Sequence, residues 1–171
     1  MRRFCVFAVA TALAAAAGGV ATAGDGPGPG NGSPPFAFAV GAGTVLTPAT
    51  FAGLEHITLS AHLGPNGPSG HYTIRFESGA HVQGDVTCML VNGNRAAAGG
   101  PLHEPIMIGG TLVENAVVAV EDNGEGGTVP DRASGFIARP ATFARLCDPT
   151  TVLTGLLAFP IESGNFVVNG G

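Results

Sequence analysis

From Leu54 to Leu63 apolar and polar side chains alternate, with Ile57, Leu59, Ala61 and Leu63 on one side and His56, Thr58, Ser60 and His62 on the other. A period of two is the mark of a half-buried β-strand, because successive side chains leave opposite faces of the pleat. The pattern resumes after Gly64–Gly70 with Tyr72, Ile74 and Phe76 inward against His71, Thr73, Arg75 and Glu77. It then runs through His81–Leu90, where Val82, Gly84, Val86, Cys88 and Leu90 alternate with His81, Gln83, Asp85, Thr87 and Met89. This third run is expected to be the central strand of an antiparallel sheet. Keeping apolar opposite apolar predicts a three-residue connection at Ser78-Gly79-Ala80, or a related odd-length loop, with Glu77 near His81 and Arg75 near Gln83. The same rule favours a three-residue turn at Asn92-Gly93-Asn94, after which Ala96, Ala98 and Gly100 face the core.

Shorter runs fill in the remainder. Phe36–Val40 and Thr44–Leu46 read as two short opening strands, Pro101–Pro105 as a loop, and Ile106–Ile108 as a short strand. Leu112–Val120 is a further strand with Ala116, Val118 and Val120 inward, and Glu121–Arg132 is the most polar loop. Gly135–Ala138, Val152–Phe159 and Phe166–Asn169 complete the set. Apolar spacing of three and four residues is missing, so no helix is expected. The predicted fold is all-β, a single antiparallel barrel or sandwich of roughly 8–10 short strands. Glycine and alanine at inward positions point to a closed wall rather than a large ligand cavity.

The two ends of the chain behave differently. Arg2 and Arg3 precede an apolar run from Phe4 to Ala17, and Ala21-Thr22-Ala23 supplies small residues, which predicts a secretory signal peptide over 1–23. The run is short for a bilayer span, and no later stretch is long and apolar enough, so no membrane span is expected after signal removal. Residues 24–35, GDGPGPGNGSPP, form a Gly/Pro-rich linker with a glycosylation sequon at Asn31-Gly32-Ser33. The folded β-domain is placed at 36–171.

Charge narrows the partners. The chain has 7 basic and 12 acidic residues and no lysine; without Arg2 and Arg3 the balance is 5 against 12, a net charge of −7. Such a surface disfavours nucleic acid and anionic lipid, while suiting a soluble, secreted, extracellular protein and also a cation. The partner expected for such a domain is a protein or the cell surface. Of the three cysteines, Cys5 lies in the signal, leaving Cys88 and Cys147. In an oxidising compartment this pair is expected to form one disulfide, the alternative being two separate buried thiols.

Several blocks carry a resemblance. Val86-Thr87-Cys88-Met89-Leu90-Val91, Gly93-Asn94-Arg95-Ala96, and Val120-Glu121-Asp122-Asn123-Gly124-Glu125-Gly126-Gly127, with Asp131 and Gly135-Phe136 beyond, resemble small exported β-domain proteins of actinobacteria. The resemblance covers about Leu54 to Val168. It implies an exported all-β domain and transfers no catalytic residues.

Three constellations could carry chemistry. Asp122, Asn123, Glu125 and Asp131 place oxygen donors in one glycine-rich loop, which suits calcium; the competing reading is that Asp122 and Asn123 shape the turn by bonding nearby backbone. On the polar strand face, pairing across Gly64–Gly70 would bring His62 near His71 and His56 near Glu77, with His81 one strand on. That set could hold zinc or copper, or be simply a solvated face. For nucleophilic hydrolysis the residue types exist but the motifs do not. No serine sits in G-x-S-x-G, His103-Glu104 lacks the second histidine of H-E-x-x-H, and no phosphate-cradling G-x-x-x-x-G-K is present. No catalytic residue is assigned. The leading expectation is an exported non-catalytic domain with a structural or interaction role, and the alternative is a small-molecule-binding barrel or an enzyme with a dispersed site.

Overall fold

The computed structural model describes residues 36–48, 53–108, 110–125, 128–138, 143 and 159–170. All lie in the second of two compact units, Gly32–Gly171. The predicted signal peptide, the linker with its sequon, and Cys147 lie outside the described residues, as does the predicted strand at Val152–Phe159 apart from Phe159.

The described residues are nearly all β and antiparallel, forming nine strands. These are β1 (Ala37–Leu46), β2 (Leu54–Gly64), β3 (Gly67–Phe76), β4 (His81–Asp85), β5 (Cys88–Asn92), β6 (Arg95–Ile108), β7 (Thr111–Glu121), β8 (Arg132–Ala138) and β9 (Phe159–Asn169). Their order is β4-β3-β2-β1-β9-β8-β7-β6-β5, and a further contact between β4 and β6 makes the arrangement ring-like. Phe143, outside these strands, is helical.

Two seams divide the ring into half-sheets. At one, β8 and β9 share only Arg132↔Pro160 and Ala133↔Phe159; at the other, β4 and β6 share only Gly84↔Leu102. Elsewhere the ladders are long, with ten paired positions between β1 and β2 and ten between β2 and β3. Inside the ring the alternating residues interlock. Tyr72, Phe166, Ile57, Ile74 and Val45 are fully buried, with Ala96, Ala98, Ala116, Val118 and Val120 opposite. A second, smaller cluster forms on the other face of β5–β8, where Ala97, Val117 and Ala119 are covered by Cys88, Phe136 and Phe143.

Several expected boundaries are corrected. The opening segment is one strand, because Gly41 and Gly43 mark close approach rather than a break: a Cβ on Gly41 would lie 2.7 Å from the Phe166 ring, and one on Gly43 2.9 Å from it. Likewise, β6 passes straight through Pro101–Pro105, absorbing them in a register shift against β7.

The run from His81 to Leu90 is two strands, not one. Val86 and Thr87 turn the corner between the half-sheets, their N–H groups donating to Gly70 O and Gly99 O. Inward facing changes parity there. Val82 and Val86 are buried, then Met89 is buried while Leu90 is 43% exposed. Cys88 consequently sits with the second cluster, outside the ring. The turn that follows has two residues, Gly93 and Asn94, since Asn92 pairs with Arg95. Gly93 at φ 61° and Asn94 at negative φ match the turn geometry whose twist suits a two-residue hairpin.

The two earlier hairpins keep the expected facing but slip by one residue on each strand. Gly64 pairs with Gly67 around Pro65-Asn66, so His56 faces Arg75; and Arg75, not Glu77, faces His81. The β2–β3 ladder continues into the glycine-rich stretch because Gly70 admits the Ser60 carbonyl where any side chain would collide.

Candidate functional site

The acidic loop closes the β8–β9 seam. Pro160 has no N–H, and the ladder ends beside it. Beyond that point the main chain of β9 is met by the loop instead. Ile161 N–H donates to Asp131 O at 2.9 Å, Phe166 N–H to Asp131 Oδ2 at 2.9 Å, and Val168 N–H to Asp122 Oδ2 at 3.0 Å. The other carboxylate oxygens shape the loop: Asp131 Oδ1 accepts from Asn123 N–H and Asp122 Oδ1 from Gly124 N–H, both at 2.8 Å. Asn123 Nδ2 donates to Pro130 O, and Asn94 Nδ2 reaches across from the β5–β6 turn to Asp122 O at 2.7 Å. Asp131 is 5% exposed.

Three of the four predicted calcium ligands, Asp122, Asn123 and Asp131, are thus brought together, and all their carboxylate oxygens accept main-chain N–H bonds. Glu125 stands apart, exposed on the rim of a depression of about 220 Å³ that also touches Glu162, Ser163 and Asn165. Among the described residues no group of three or more His, Cys, Asp or Glu side chains is placed to hold a metal.

The opposite seam is held by Tyr72. Its hydroxyl donates to Gly100 O at 2.8 Å, spanning from β3 to β6, and burial pushes its phenol up to about 12. Gly84 of β4 lies beneath: a Cβ there would stand 2.5 Å from the Tyr72 hydroxyl.

The predicted histidine set is not assembled as expected. His62 faces Ser69, His71 faces Ser60, and His56 faces Arg75, which places His62 and His71 diagonally rather than opposite. His56 Nδ1 is 2.8 Å from Thr44 Oγ1. His62 packs against Phe36 and Phe38, with ring centroids 5.9 and 6.4 Å away, and its sealed Nδ1 has no partner among the described residues.

The chain matches no family model, no curated protein and no solved structure.

Two further features lie outside the residues that the sequence analysis singles out. Glu55 occupies an inward position on β2, beside Val45 and Phe76, and is 3% exposed. Thr47 Oγ1 lies 3.4 Å from its Oε1, while Oε2 is sealed from solvent with no partner among the described residues. Burial raises its pKa, partly offset by the Gly135 N–H and the Thr47 hydroxyl. Thr47 also lines an open depression of about 500 Å³ with Leu46, Pro48, Gly53, Glu77 and Phe159. The sequence signal was there: Glu55 shares the parity of Ile57, Leu59 and Ala61.

The second feature is the β6–β7 hairpin tip. Met107 pairs with Leu112 and Ile108 with Thr111, and Met107, Leu112 and Ile108 are 64%, 50% and 49% exposed. The strand pattern marks these residues as apolar but does not say that the hairpin carries them past the core.

Proposed function

We propose that this chain is an exported, non-catalytic β-domain that acts by interaction at the cell surface or in the medium. The observation that carries the reading is the β6–β7 tip, where Met107, Ile108 and Leu112 form an exposed apolar end on a hairpin whose base is fully buried. Contiguous exposed apolar side chains mark interaction sites on soluble domains. The interior supports the same reading, since large side chains from both half-sheets fill it. Export is supported by Arg2-Arg3, the apolar run and Ala21-Thr22-Ala23, and by the resemblance to exported actinobacterial β-domains. A Cys88–Cys147 disulfide is supported by the position of Cys88 beside Phe143, four residues from Cys147 in sequence.

The test is expression of the full chain in an exporting host, followed by binding of the released protein to isolated cell envelope. Withdrawing two half-buried contacts of this size costs about 2 kcal/mol, so Met107→Ser/Leu112→Ser should bind roughly thirtyfold more weakly at unchanged thermal stability. Undiminished binding by the double variant would overturn the hairpin reading.

A second reading, a small-molecule site or enzyme, is favoured by Glu55 alone: a sealed carboxyl with a raised pKa next to an open depression is an arrangement used by acid catalysts. A turnover or ligand-binding signal lost in Glu55→Gln would favour it over the first.

A further inference from the structure

Asn-Gly recurs along the described chain, at Asn66-Gly67 in the β2–β3 turn, Asn92-Gly93 in the β5–β6 turn, Asn123-Gly124 in the acidic loop and Asn169-Gly170 at the end of β9. This dipeptide is chemically unstable in water. The glycine main-chain nitrogen can attack the asparagine Cγ, and a residue without a Cβ neither hinders that approach nor restricts the backbone rotation it needs. Asn169 is held in the β1–β9 ladder opposite Phe38. The other three pairs lie in turns, and the fold ties their glycine nitrogens in three different ways.

In the acidic loop both reacting groups are bonded: Gly124 N–H donates to Asp122 Oδ1 and Asn123 Nδ2 to Pro130 O, each at 2.8 Å. Removing the Gly124 proton would also set a negative charge against a carboxylate. In the β2–β3 turn Gly64 pairs with Gly67, and because Pro68 has no N–H the ladder bond there is the one from Gly67 N–H to Gly64 O. The β5–β6 turn is different. Its closing pair is Asn92 with Arg95, so Gly93 N–H lies outside the ladder and has no acceptor among the described residues. The Asn92 side chain is exposed and has no hydrogen-bond partner among them either. A Cβ on Gly93 would meet nothing within 4 Å, so solvent surrounds the reacting nitrogen.

We propose that Asn92-Gly93 is a site of spontaneous deamidation, and that its isoaspartyl product unfastens the β5–β6 turn from the acidic loop. Solvent base takes the Gly93 amide proton, the nitrogen bonds to Asn92 Cγ, and the bond from Cγ to the side-chain nitrogen breaks, releasing ammonia and leaving a five-membered imide. Water then adds to one imide carbonyl and opens the ring. Opening at Cγ gives aspartate with the main chain unchanged; opening at the main-chain carbonyl gives isoaspartate, whose main chain runs through Cγ and is one carbon longer. Water is the co-reactant and ammonia the leaving group.

The two products differ in what they disturb. Aspartate places a carboxylate on the residue paired with Arg95 and keeps the turn. Isoaspartate lengthens the chain directly before Gly93, which displaces the Asn92–Arg95 pair and the Asn94 clasp beyond it. In that clasp Asn94 O accepts from Asp122 N–H at 2.9 Å and Asn94 Nδ2 donates to Asp122 O at 2.7 Å. Asp122 in turn meets Val168 N–H through Oδ2, so the disturbance reaches the β9 seam. The site is separate from the β6–β7 tip, and either can fail while the other stands.

The test is to age the full chain in warm, mildly alkaline buffer, folded and in urea, and to map the products by digestion and mass spectrometry. Each converted asparagine gains about 1 Da, and the aspartyl and isoaspartyl peptides separate by chromatography. In the folded chain Asn92 should convert about tenfold or more faster than Asn123, whose glycine N–H is bonded to a carboxylate, and roughly threefold faster than Asn66. In urea those bonds are gone, and the three rates should draw together. Aged wild type should melt at a lower midpoint than fresh protein, whereas aged Asn92→Gln, which would have to close a six-membered ring, and fresh Asn92→Asp should not. Conversion of Asn66 or Asn123 ahead of Asn92 in the folded chain, or the same ratio of rates in urea, would overturn the site, and neither measurement needs a variant. A chain fully isoaspartyl at 92 with an unchanged midpoint would overturn the unfastening.

Discussion

Replacing Asp131 by alanine tests the claim that the acidic loop is a seam closure. Its carboxylate accepts from Asn123 N–H at 2.8 Å and from Phe166 N–H at 2.9 Å, at a residue only 5% exposed. Each hydrogen bond to a charged group contributes roughly 1.5–3 kcal/mol, and the alanine variant strands two N–H groups, the Phe166 one buried. The sum, about 3–6 kcal/mol, is an upper figure because water can enter beside the half-buried Asn123 N–H, so a loss of about 3–4 kcal/mol is expected. In a domain of this size that lowers the thermal midpoint by roughly 10–15 °C. Asp131→Asn should recover part of the loss, since one amide oxygen can still accept while the NH₂ group opposes an N–H donor. Urea unfolding of the wild type and both variants, in chelator and again in millimolar calcium, measures the effect. A loss below about 1 kcal/mol for Asp131→Ala would refute the closure. So would a stability difference that exists only in calcium, because the carboxylate would then be acting through an ion.

Two other predictions follow from buried groups. Burial raises the Glu55 pKa, so the folded chain holds its proton more tightly than the unfolded chain; stability should fall as pH rises from about 4.5 through the raised value, at up to about 1.4 kcal/mol per pH unit, and Glu55→Gln should flatten that limb. Unfolding curves of equal slope for both proteins across that range would count against it. For the cysteines, protein released from an exporting host and denatured without reductant should show no reactive thiol; a Cys88–Cys147 bridge would close a loop worth about 4 kcal/mol, so Cys88→Ser should be markedly less stable, and two titratable thiols would dismiss the bridge.

Facing was far more legible in the sequence than register. Ile57, Leu59, Ala61, Tyr72 and Ile74 are inward as their period requires, because exposing the whole set would forfeit the core. Register is set by turns and close contacts, where a two-residue slip preserves facing and leaves no trace in the pattern. The placements of His62 against His71 and of Glu77 against His81 failed for that reason. The corner at Val86-Thr87 was hidden differently: the alternation runs on past it, since Cys88 and Leu90 are apolar residues on the outer side while Met89 enters the core. The glycines at 41 and 43 read as punctuation, yet the Phe166 ring that requires them comes from a strand more than a hundred residues later.

The polar turn residues converge on one place. Asn94, Asp122, Asn123 and Asp131, scattered over three segments, form a single hydrogen-bonded network at the end of β9. A ring of strands needs its last edge satisfied, and here the ladder ends beside a proline. Carboxylates can replace a missing strand because they are strong acceptors: the alternate N–H groups of Phe166 and Val168 are met by two separate carboxylates, Asp131 Oδ2 and Asp122 Oδ2. The same economy holds across the ring, where Tyr72 reaches Gly100 O over a glycine that leaves it room. Polar residues at both seams therefore have work enough in closing the fold. Surfaces left free of that duty, the β6–β7 tip above all, are the places from which interaction can be argued.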